Sequence, residues 1–567
     1  MLQIRSHTRT PKYSIIFRIL MTKTYDAIIV GAGHNGLTAA GYLAKAGLIT
    51  LVLEKRPVVG GAVVTEEIHP GYRISSVSYV VSLLRSEVIR DLELKRHGFE
   101  MIPLDGTLAV CGDDYLFLRG DAEHDRKQVA RYSSVDFDNM ARFDATVQAV
   151  GDVIRNQMLR EPPKLDAGVW DLAALALMGL DIRRLSPELR YRLLQMLTSS
   201  AYDLIERWFD SDMVKSMYAS ACFSGNFASL RQPGSAIPFF HMAVGELDGE
   251  QGAWRLVKGG MGGITQAMAN FARSKGADIR TEAAVENIMV ENGKAVGVRL
   301  KGGEIVASRC VLANTDPKRT FLKLLDPDKL DPEFAGDIRQ IRMGHSSWRI
   351  NLALNGLPDI RFFKSGEEGP WHRSDMTIFP DVAGMEANFF AAAAGRLPRE
   401  PRLELTIPST VDDSLAPAGR HVMSILAKYY PYQLADGLSW DDVKGDAADG
   451  IIDYMARTMP NLPDIIVGRQ LISPLDLETE YGLTESDIFH GRHDLDQLFS
   501  LRPHPRAAQY GTPHQKPLPL RFRCPSRRWC VRGPGAQRGP SGSRRFQTTL
   551  TIFKYLLKTN HLLWYRC

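Results

Sequence analysis

Three glycines near the amino terminus have the spacing of a site that binds phosphates through the backbone. Gly31, Gly33 and Gly36 form the pattern G-x-G-x-x-G directly after the apolar run Ala27 to Val30. Gly31 permits a tight turn, Gly33 leaves room for a pyrophosphate, and Gly36 lets the following helix pack close to the strand. The N–H groups and positive end of that helix favour an anion. The residues predicted to contact the phosphates are Gly31, Ala32, Gly33, Asn35 and Gly36.

A carboxylate stands where such a site would bind a ribose. The predicted helix ends at Gly47, and a second strand, Ile49 to Leu53, leads directly to Glu54. A carboxylate at this position can accept hydrogen bonds from both hydroxyls of an adenosine ribose, and it would repel a 2′-phosphate. Lys55 and Arg56 beside it keep the 2′-phosphate alternative open. Strand, turn, helix and acid together favour a dinucleotide site over a purely structural glycine turn.

Two further glycine-rich turns follow. Gly60 and Gly61 can pass under the phosphates of a cofactor, which on fold analogy favours FAD over NAD, with a plain turn as the alternative. Gly259 to Gly263 precede an amphipathic helix, Ile264 to Ser274, whose N-terminal N–H groups are expected to be free for a ligand. Strands around a hairpin at Glu291 to Lys294 then predict the return of the chain to the nucleotide domain.

The length and amino-acid composition of the chain indicate an ordinary globular protein of two or three domains. The chain has 567 residues, 44% of them hydrophobic and 24% charged, with a net charge of +5. No apolar run approaches the roughly 18 residues of a membrane span, and we expect no nucleic-acid partner. The six cysteines are scattered, which indicates neither a disulfide framework nor a metal site and favours a reducing compartment.

The first 24 residues are basic and contain no acid. They resemble an organelle transit peptide, but Met21 lies just before the first strand, so a mis-called start or a disordered leader is the preferred interpretation. We therefore expect a cytoplasmic protein, with the mitochondrial matrix as the alternative if residues 1–20 are a transit peptide.

A helical segment rich in methionine and aromatic residues spans Asp121 to Leu247. Such spacing is usually core packing, although some of these side chains are candidates to line a substrate pocket. The spacing of Val77, Val80, Val81 and Leu84 predicts a helix over Ser75 to Arg90. His241, His345 and His490 are isolated and receive no role.

Together these stretches resemble the phytoene-desaturase-like flavoproteins, most closely the branch of pyridine nucleotide-disulphide oxidoreductase domain-containing protein 2. The resemblance runs from about Tyr25 to Pro513. The motifs that carry it, besides the glycine turns and Glu54-Lys55, are K-G-G-M-G-G at 258–263, V-L-A-N-T-D-P at 311–317, I-P-S-T-V-D-D-S-L-A-P-A-G at 407–419 and I-F-H-G at 488–491.

The resemblance implies an α/β fold in which a discontinuous Rossmann-like FAD-binding domain carries an inserted α+β substrate domain. It also implies a backbone contact from Val285 to adenine and places Lys55, Gly60 and Gly61 in the cofactor site. Ala62 replaces an arginine common in amine oxidases, and a second dinucleotide fingerprint and a redox C-x4-C are both missing from the sequence, which weakens the amine-oxidase and disulphide-reductase interpretations. The predicted segments are a leader (1–24), FAD-binding parts (25–100, 251–331 and 476–513), substrate-domain parts (101–250 and 332–475) and an aberrant tail (514–567).

The tail leaves the family pattern after Pro513. It is rich in Arg, Pro and Gly, and suitable codons for residues 527–531 read one base later give G-G-G-V, part of the family's closing glycine motif. We therefore expect residues 514–567 to be translated out of frame and disordered, and such a chain to bind FAD poorly. A basic arm for nucleic acid or a membrane surface is the alternative.

The function that the resemblance implies is an FAD-dependent oxidoreductase of the dehydrogenase or desaturase type, in which a hydrophobic small molecule gives a hydride to the flavin. The alternative is a regulatory or interaction protein that keeps the flavoprotein fold without turnover. We expect no transmembrane segment, while peripheral membrane contact stays open. The sequence identifies no catalytic acid or base and no metal site.

Overall fold

A computed structural model of the protein describes residues 24–158, 162, 169–223, 227–344, 347–508 and 510. The predicted leader, apart from Thr24, and the predicted tail lie outside these residues. The strands are β1 (Ala27–Val30), β2 (Thr50–Leu53), β3 (Thr65–His69), β4 (Tyr72–Ser75), β5 (Met101–Pro103), β6 (Thr107–Cys111), β7 (Asp114–Leu118), β8 (Glu246–Leu247), β9 (Glu250–Gln251), β10 (Arg255–Val257), β11 (Asp278–Arg280), β12 (Val285–Glu291), β13 (Lys294–Leu300), β14 (Ile305–Ala307), β15 (Val311–Ala313), β16 (Ser347–Leu354), β17 (Asp375–Phe379), β18 (Leu403–Thr406), β19 (His421–Lys428) and β20 (Ile466–Ile472).

The α-helices lie between groups of these strands, and a run of helices separates β7 from β8. They are α1 (His34–Lys45), α2 (Ser86–Asp91), α3 (Ala122–Val129), α4 (Asp136–Met158), α5 (Val169–Arg184), α6 (Pro187–Thr198), α7 (Ala201–Glu206), α8 (Asp212–Ala221), α9 (Ile237–Ala243), α10 (Gly262–Ser274), α11 (Pro317–Arg319), α12 (Pro332–Gln340), α13 (Val382–Ala393), α14 (Trp440–Ala456), α15 (Leu462–Ile465) and α16 (Pro474–Thr479). Among the residues described, no helix is long and apolar enough to cross a membrane.

A parallel sheet in the order β11-β2-β1-β15 joins two distant parts of the chain. Side chains along β1 alternate between its two faces. Ala27 and Ile29 pack against α1 and α10, whereas Ile28 and Val30 pack against the antiparallel sheet β12-β13-β14 and α12. Because β1 is buried on both faces, its sequence is a continuous apolar run, which is why the strand could be recognised.

The second large element is a mixed sheet in the order β20-β16-β19-β18-β17-β6-β7. All neighbours in it are antiparallel except β17 and β6. One face packs on α14 through apolar side chains such as Trp348, Ile350 and Met455. Beyond β17, the opposite face meets the helices between α3 and α9 through residues such as Ala109, Leu116 and Phe379.

The predicted helix over Ser75 to Arg90 is wrong for most of its length. The structure has a helix only at Ser86–Asp91, and residues 76–85 form an irregular segment. Ser76 N donates to Val64 O at 3.2 Å and Ser78 N donates to Ala62 O at 3.0 Å. Because these N–H groups bond to another part of the chain, they cannot form a helix, so tertiary contacts override the apolar spacing.

Candidate functional site

The first glycine turn joins β1 to α1 with very little space between them. Gly31 has a φ of +97°, and Gly33 is the N-cap of α1 and so supplies no side-chain oxygen to the helix end. A Cβ on Gly36 would lie 2.1 Å from Gly31 O and 3.2 Å from Ile29 Cγ2. Glycine is therefore required at position 36 for the helix to meet the strand. Ala32 is buried in the turn, and Asn35 is buried in the first turn of α1.

The second glycine pair lies directly against the first turn. Gly60 N donates to Ala32 O at 2.9 Å, and Gly33 and Gly60 form an isolated parallel bridge. A Cβ on Gly61, whose φ is +58°, would lie 3.3 Å from Gly33 Cα. Two stretches of bare backbone therefore meet, and this arrangement fits the pyrophosphate of a dinucleotide.

Glu54 reaches back to the glycine turn from the end of β2. The residue is 5% exposed, and its carboxylate accepts hydrogen bonds from Ala32 N at 2.8 Å and Arg56 N at 3.0 Å. Each carboxylate oxygen has further acceptor capacity. The acid therefore lies beside the turn, where a ribose diol would complete its hydrogen bonds.

The two basic residues after Glu54 already have partners in the protein. Lys55 Nζ donates to Thr479 O at 3.0 Å. Arg56 forms an ion pair with Glu66 at 2.5 Å and lies over the Tyr481 ring, 4.5 Å from its centroid. These contacts weigh against a 2′-phosphate beside Glu54 and thus against an NADP-type nucleotide.

Val285 begins β12 beside this acid. Ala283 N donates to Glu54 O at 2.8 Å, and Glu282 N donates to Arg56 O at 3.1 Å. The segment that leads into β12 therefore runs along Glu54 to Arg56. The contact from Val285 to adenine stays a prediction.

Asn314 is a site residue that the sequence reasoning did not select. Its backbone N–H donates to Val30 O at 2.9 Å, directly after β15. Its Nδ2 atom lies 3.0 Å from the position that a Cβ on Gly33 would take and 3.2 Å from that on Gly36. The amide therefore faces the phosphate turn. Asn314 belongs to the V-L-A-N-T-D-P motif, which supported the family resemblance but was not interpreted as part of the nucleotide site.

The third glycine turn does not offer its N–H groups to a ligand as predicted. Gly259 N donates to Asp412 Oδ2 at 2.6 Å, Met261 N to Ser75 Oγ at 2.9 Å, and Gly262 N to Thr65 Oγ1 at 2.9 Å. This turn holds the β3-β4 hairpin and the 407–419 motif in place instead.

The segment that leads into the I-F-H-G motif is bonded to the segment after Asn314. Thr484 Oγ1 donates to Asp316 Oδ2 at 2.7 Å, and Lys318 forms an ion pair with Glu485 at 2.9 Å. Burial lowers the pKa of His490 to about 4, against the opposing charge of Asp316, so the ring is neutral at pH 7. His490 also has a φ of +60°, which is uncommon outside glycine. Residues 484–485, just before the I-F-H-G motif, are thus bonded to Asp316 and Lys318, and Asp316 acts on the His490 ring through its charge.

Asp487 in this segment supports a test of the pH dependence of stability. It is 1% exposed, it accepts a hydrogen bond from Phe489 N at 2.7 Å, and burial raises its pKa to about 6. Since an unfolded aspartate has a pKa of about 3.9, the stability that protonated Asp487 provides is fully present below about pH 4 and is lost as the pH rises through 6.

We expect the free energy of unfolding of Asp487→Asn, measured relative to that of wild type, to increase by on the order of 2–3 kcal/mol as the pH rises from 4 to 7.5. The amide oxygen can still accept the Phe489 N–H bond but does not titrate. Equilibrium denaturation at both pH values measures the difference, with Asp453→Asn on the exposed side of α14 as control. A stability difference that does not change with pH would contradict the assignment.

Comparison with known proteins identifies the class to which this site belongs. The sequence profile described as flavin containing amine oxidoreductase matches residues 36–348. The pyridine nucleotide-disulfide oxidoreductase domain-containing protein 2 of Rattus norvegicus is 36% identical over 525 residues, covering 87% of this chain and 88% of the relative. A 4,4'-diapophytoene desaturase (4,4'-diapolycopene-forming) of Methylomonas sp. is 23% identical over 86% of this chain and 89% of its own length.

A solved structure shares the fold. Wild-type putrescine oxidase bound to putrescine superposes with a TM-score of 0.51 at 17% identity, covering 79% of this chain and 85% of that chain. The predicted resemblance, the Rossmann-like FAD domain with an inserted domain, and FAD as cofactor are thereby confirmed.

Proposed function

Because this chain belongs to the family of flavin containing amine oxidoreductases and is an FAD-dependent oxidoreductase, we propose that it is a dehydrogenase of the desaturase type that oxidises an apolar substrate. Bound FAD supplies the electron chemistry by accepting a hydride. The observation that carries the proposal is the close contact between the glycine turn at Gly31 to Gly36 and the pair Gly60 and Gly61, with Glu54 beside it. The chain is also similar along 86% of its length to a 4,4'-diapophytoene desaturase.

The residues of the chain bind and orient the nucleotide. We assign the pyrophosphate to the backbone of Gly31, Ala32, Gly33, Asn35 and Gly36 and to the pair Gly60 and Gly61. Glu54 holds the adenosine ribose, Asn314 faces the phosphate turn, and Val285 contacts adenine. Lys55 belongs to this site as the neighbour of Glu54, with its side chain directed to Thr479. We assign no proton transfer to a side chain.

We base a proposed division into domains on the two large sheets. We propose that residues 25–100, 251–331 and 476–513 form the FAD-binding domain and that residues 101–250 and 332–475 form the substrate domain. In support, β1, β2, β11 and β15 share one sheet, whereas β6, β7 and β16 to β20 share the other.

The proposed substrate domain contains a buried aromatic cluster, in the core that its helices form with the large sheet. Tyr429 follows β19 and contacts three phenylalanine rings, with centroids 4.5 Å, 5.5 Å and 5.9 Å away, which belong to Phe223, Phe227 and Phe389. Aromatic clusters of this kind suit a hydrocarbon chain better than a diamine. They support an apolar substrate.

Anaerobic titration of the FAD-loaded protein tests this proposal. We expect 4,4'-diapophytoene, or another compound in a panel of isoprenoid and long-chain acyl compounds, to bleach the flavin absorbance, and putrescine to leave it unchanged. Bleaching by putrescine and by no apolar compound would contradict an apolar substrate. A flavin that no compound in the panel reduces would favour the regulatory alternative.

A further inference from the structure

One buried face of the seven-stranded sheet is polar near β16, β18 and β19. Side chains alternate along these strands, and those on the first face form the apolar core with α14. On the opposite face, polar side chains that are each at most 5% exposed include Arg349, Asn351, Arg402, Glu404, Ser424 and Lys428. Buried polar groups are costly unless they are bonded. A polar group on this face that lacks a partner within the protein would therefore indicate a ligand.

The carboxylate on this face is already engaged. Glu404 forms an ion pair with Arg402 and accepts a hydrogen bond from the Tyr79 hydroxyl. Asn351 Nδ2 donates to Ser76 O at 3.0 Å and to Gln470 Oε1 at 2.9 Å, while Ser424 Oγ donates to Asn351 Oδ1 at 3.2 Å. Glu404 and Asn351 therefore have bonds within the protein.

Arg349 differs from these neighbours. It is 1% exposed, its Nη2 donates to Ser424 Oγ, and its guanidinium lies 4.9 Å from the centroid of the Tyr79 ring. Its Nε and Nη1 atoms are buried, and no acceptor among the described residues bonds them; no carboxylate there lies within 4.0 Å of the guanidinium. Burial lowers its pKa to about 10, so the side chain still carries its charge at pH 7.

The position of Arg349 connects it to the cofactor domain. Tyr79 belongs to the irregular segment 76–85, whose Ser78 bonds to Ala62, directly after the Gly60 and Gly61 turn. Arg349 therefore lies on the side of the sheet that faces the chain leaving the phosphate site. Tyr429 belongs to the core on the face opposite α14, together with Ala109 and Phe379, so the aromatic cluster lies on the same side of the sheet as Arg349.

We propose that the substrate is amphipathic and that Arg349 binds a carboxylate at one end of it, while the apolar chain extends toward the aromatic cluster around Tyr429. This inference rests on the proposed function. A guanidinium presents N–H groups in a planar fork that matches a carboxylate. The buried Nε and Nη1 atoms of Arg349 lack an acceptor among the described residues, which suits a carboxylate, and the nearby Glu404 disfavours a doubly charged phosphate.

Calorimetric titration of the FAD-loaded protein tests the proposal, with dodecanoate and methyl dodecanoate as probes. We expect wild type to bind the acid about 10- to 100-fold more tightly than the ester, the usual effect of charge-assisted hydrogen bonds. Arg349→Met should remove this preference and keep the affinity for the ester. Arg349→Lys should keep part of the preference for the acid, because lysine keeps the positive charge but lacks the planar guanidinium that binds both carboxylate oxygens. The control is Arg457→Met, which removes an exposed arginine paired with Glu400.

The outcomes separate this inference from the proposed function. Equal binding of acid and ester by wild type, or an unchanged preference in Arg349→Met, overturns the role of Arg349 and leaves an apolar substrate in place. Binding of neither probe overturns both. If Arg349→Met does not fold, the acid-to-ester ratio of wild type and of Arg349→Lys still decides the question.

Discussion

The Gly36→Ala variant is expected to bind FAD about 10- to 100-fold more weakly than wild type. The added Cβ would lie 2.1 Å from Gly31 O, and neither backbone can move without displacing the turn from α1. Overpacking of this kind costs about 1–3 kcal/mol, and each 1.4 kcal/mol changes affinity tenfold. Titration of FAD by its fluorescence in wild type and variant measures the loss.

Gly450→Ala is the matched control for this substitution. Gly450 lies within α14, and a Cβ there would meet no atom within 4 Å. The change should stabilise the protein by about 0.5–1 kcal/mol and leave FAD affinity unchanged. Unchanged FAD affinity in Gly36→Ala would show that the turn does not hold the phosphates.

Glu54→Ala is expected to weaken FAD binding by about 100-fold. The variant loses charge-assisted hydrogen bonds to the ribose, which contribute about 1.5–3 kcal/mol each. It also leaves the N–H groups of Ala32 and Arg56 without their acceptor, so its stability must be measured beside its affinity. Glu54→Gln should lose less, because the amide keeps the shape and one acceptor oxygen. Glu291→Ala, at an exposed hairpin position, is the control.

An analogue of FAD separates the role in ribose binding from the role in the turn. Wild type should bind FAD more tightly than its 2′-deoxyadenosine analogue, and Glu54→Ala should lose that preference. A preference of equal size in both proteins would mean that Glu54 supports the turn without touching the ribose.

The parts of the site that are local in sequence were predictable. The turn from Gly31 to Gly36 and the acid at Glu54 depend on one strand, one helix and the next strand, so spacing alone carried the information. The continuous apolar run of β1 likewise followed from burial on both faces.

The parts that depend on distant segments were not predictable from spacing. Asn314 reaches the turn because β15 pairs with β1, some 280 residues apart in the chain. Residues 76–85 have helical spacing but bond to the segment after Gly61. The N–H groups of the third glycine turn were expected to be free. Their acceptors, including Asp412, lie in distant parts of the sequence and could not be identified from the turn itself. Arg349 and Asn351, polar residues at alternate positions of the buried strand β16, were a signal that the sequence analysis did not use.

The structure of the protein determined in excess FAD tests the central claim most directly, because excess cofactor compensates for weak binding. We expect the pyrophosphate to lie over the turn from Gly31 to Gly36 and both ribose hydroxyls to lie within about 3 Å of the Glu54 carboxylate. A nucleotide bound elsewhere, with Glu54 bonded only to the N–H groups of Ala32 and Arg56, would contradict the assignment.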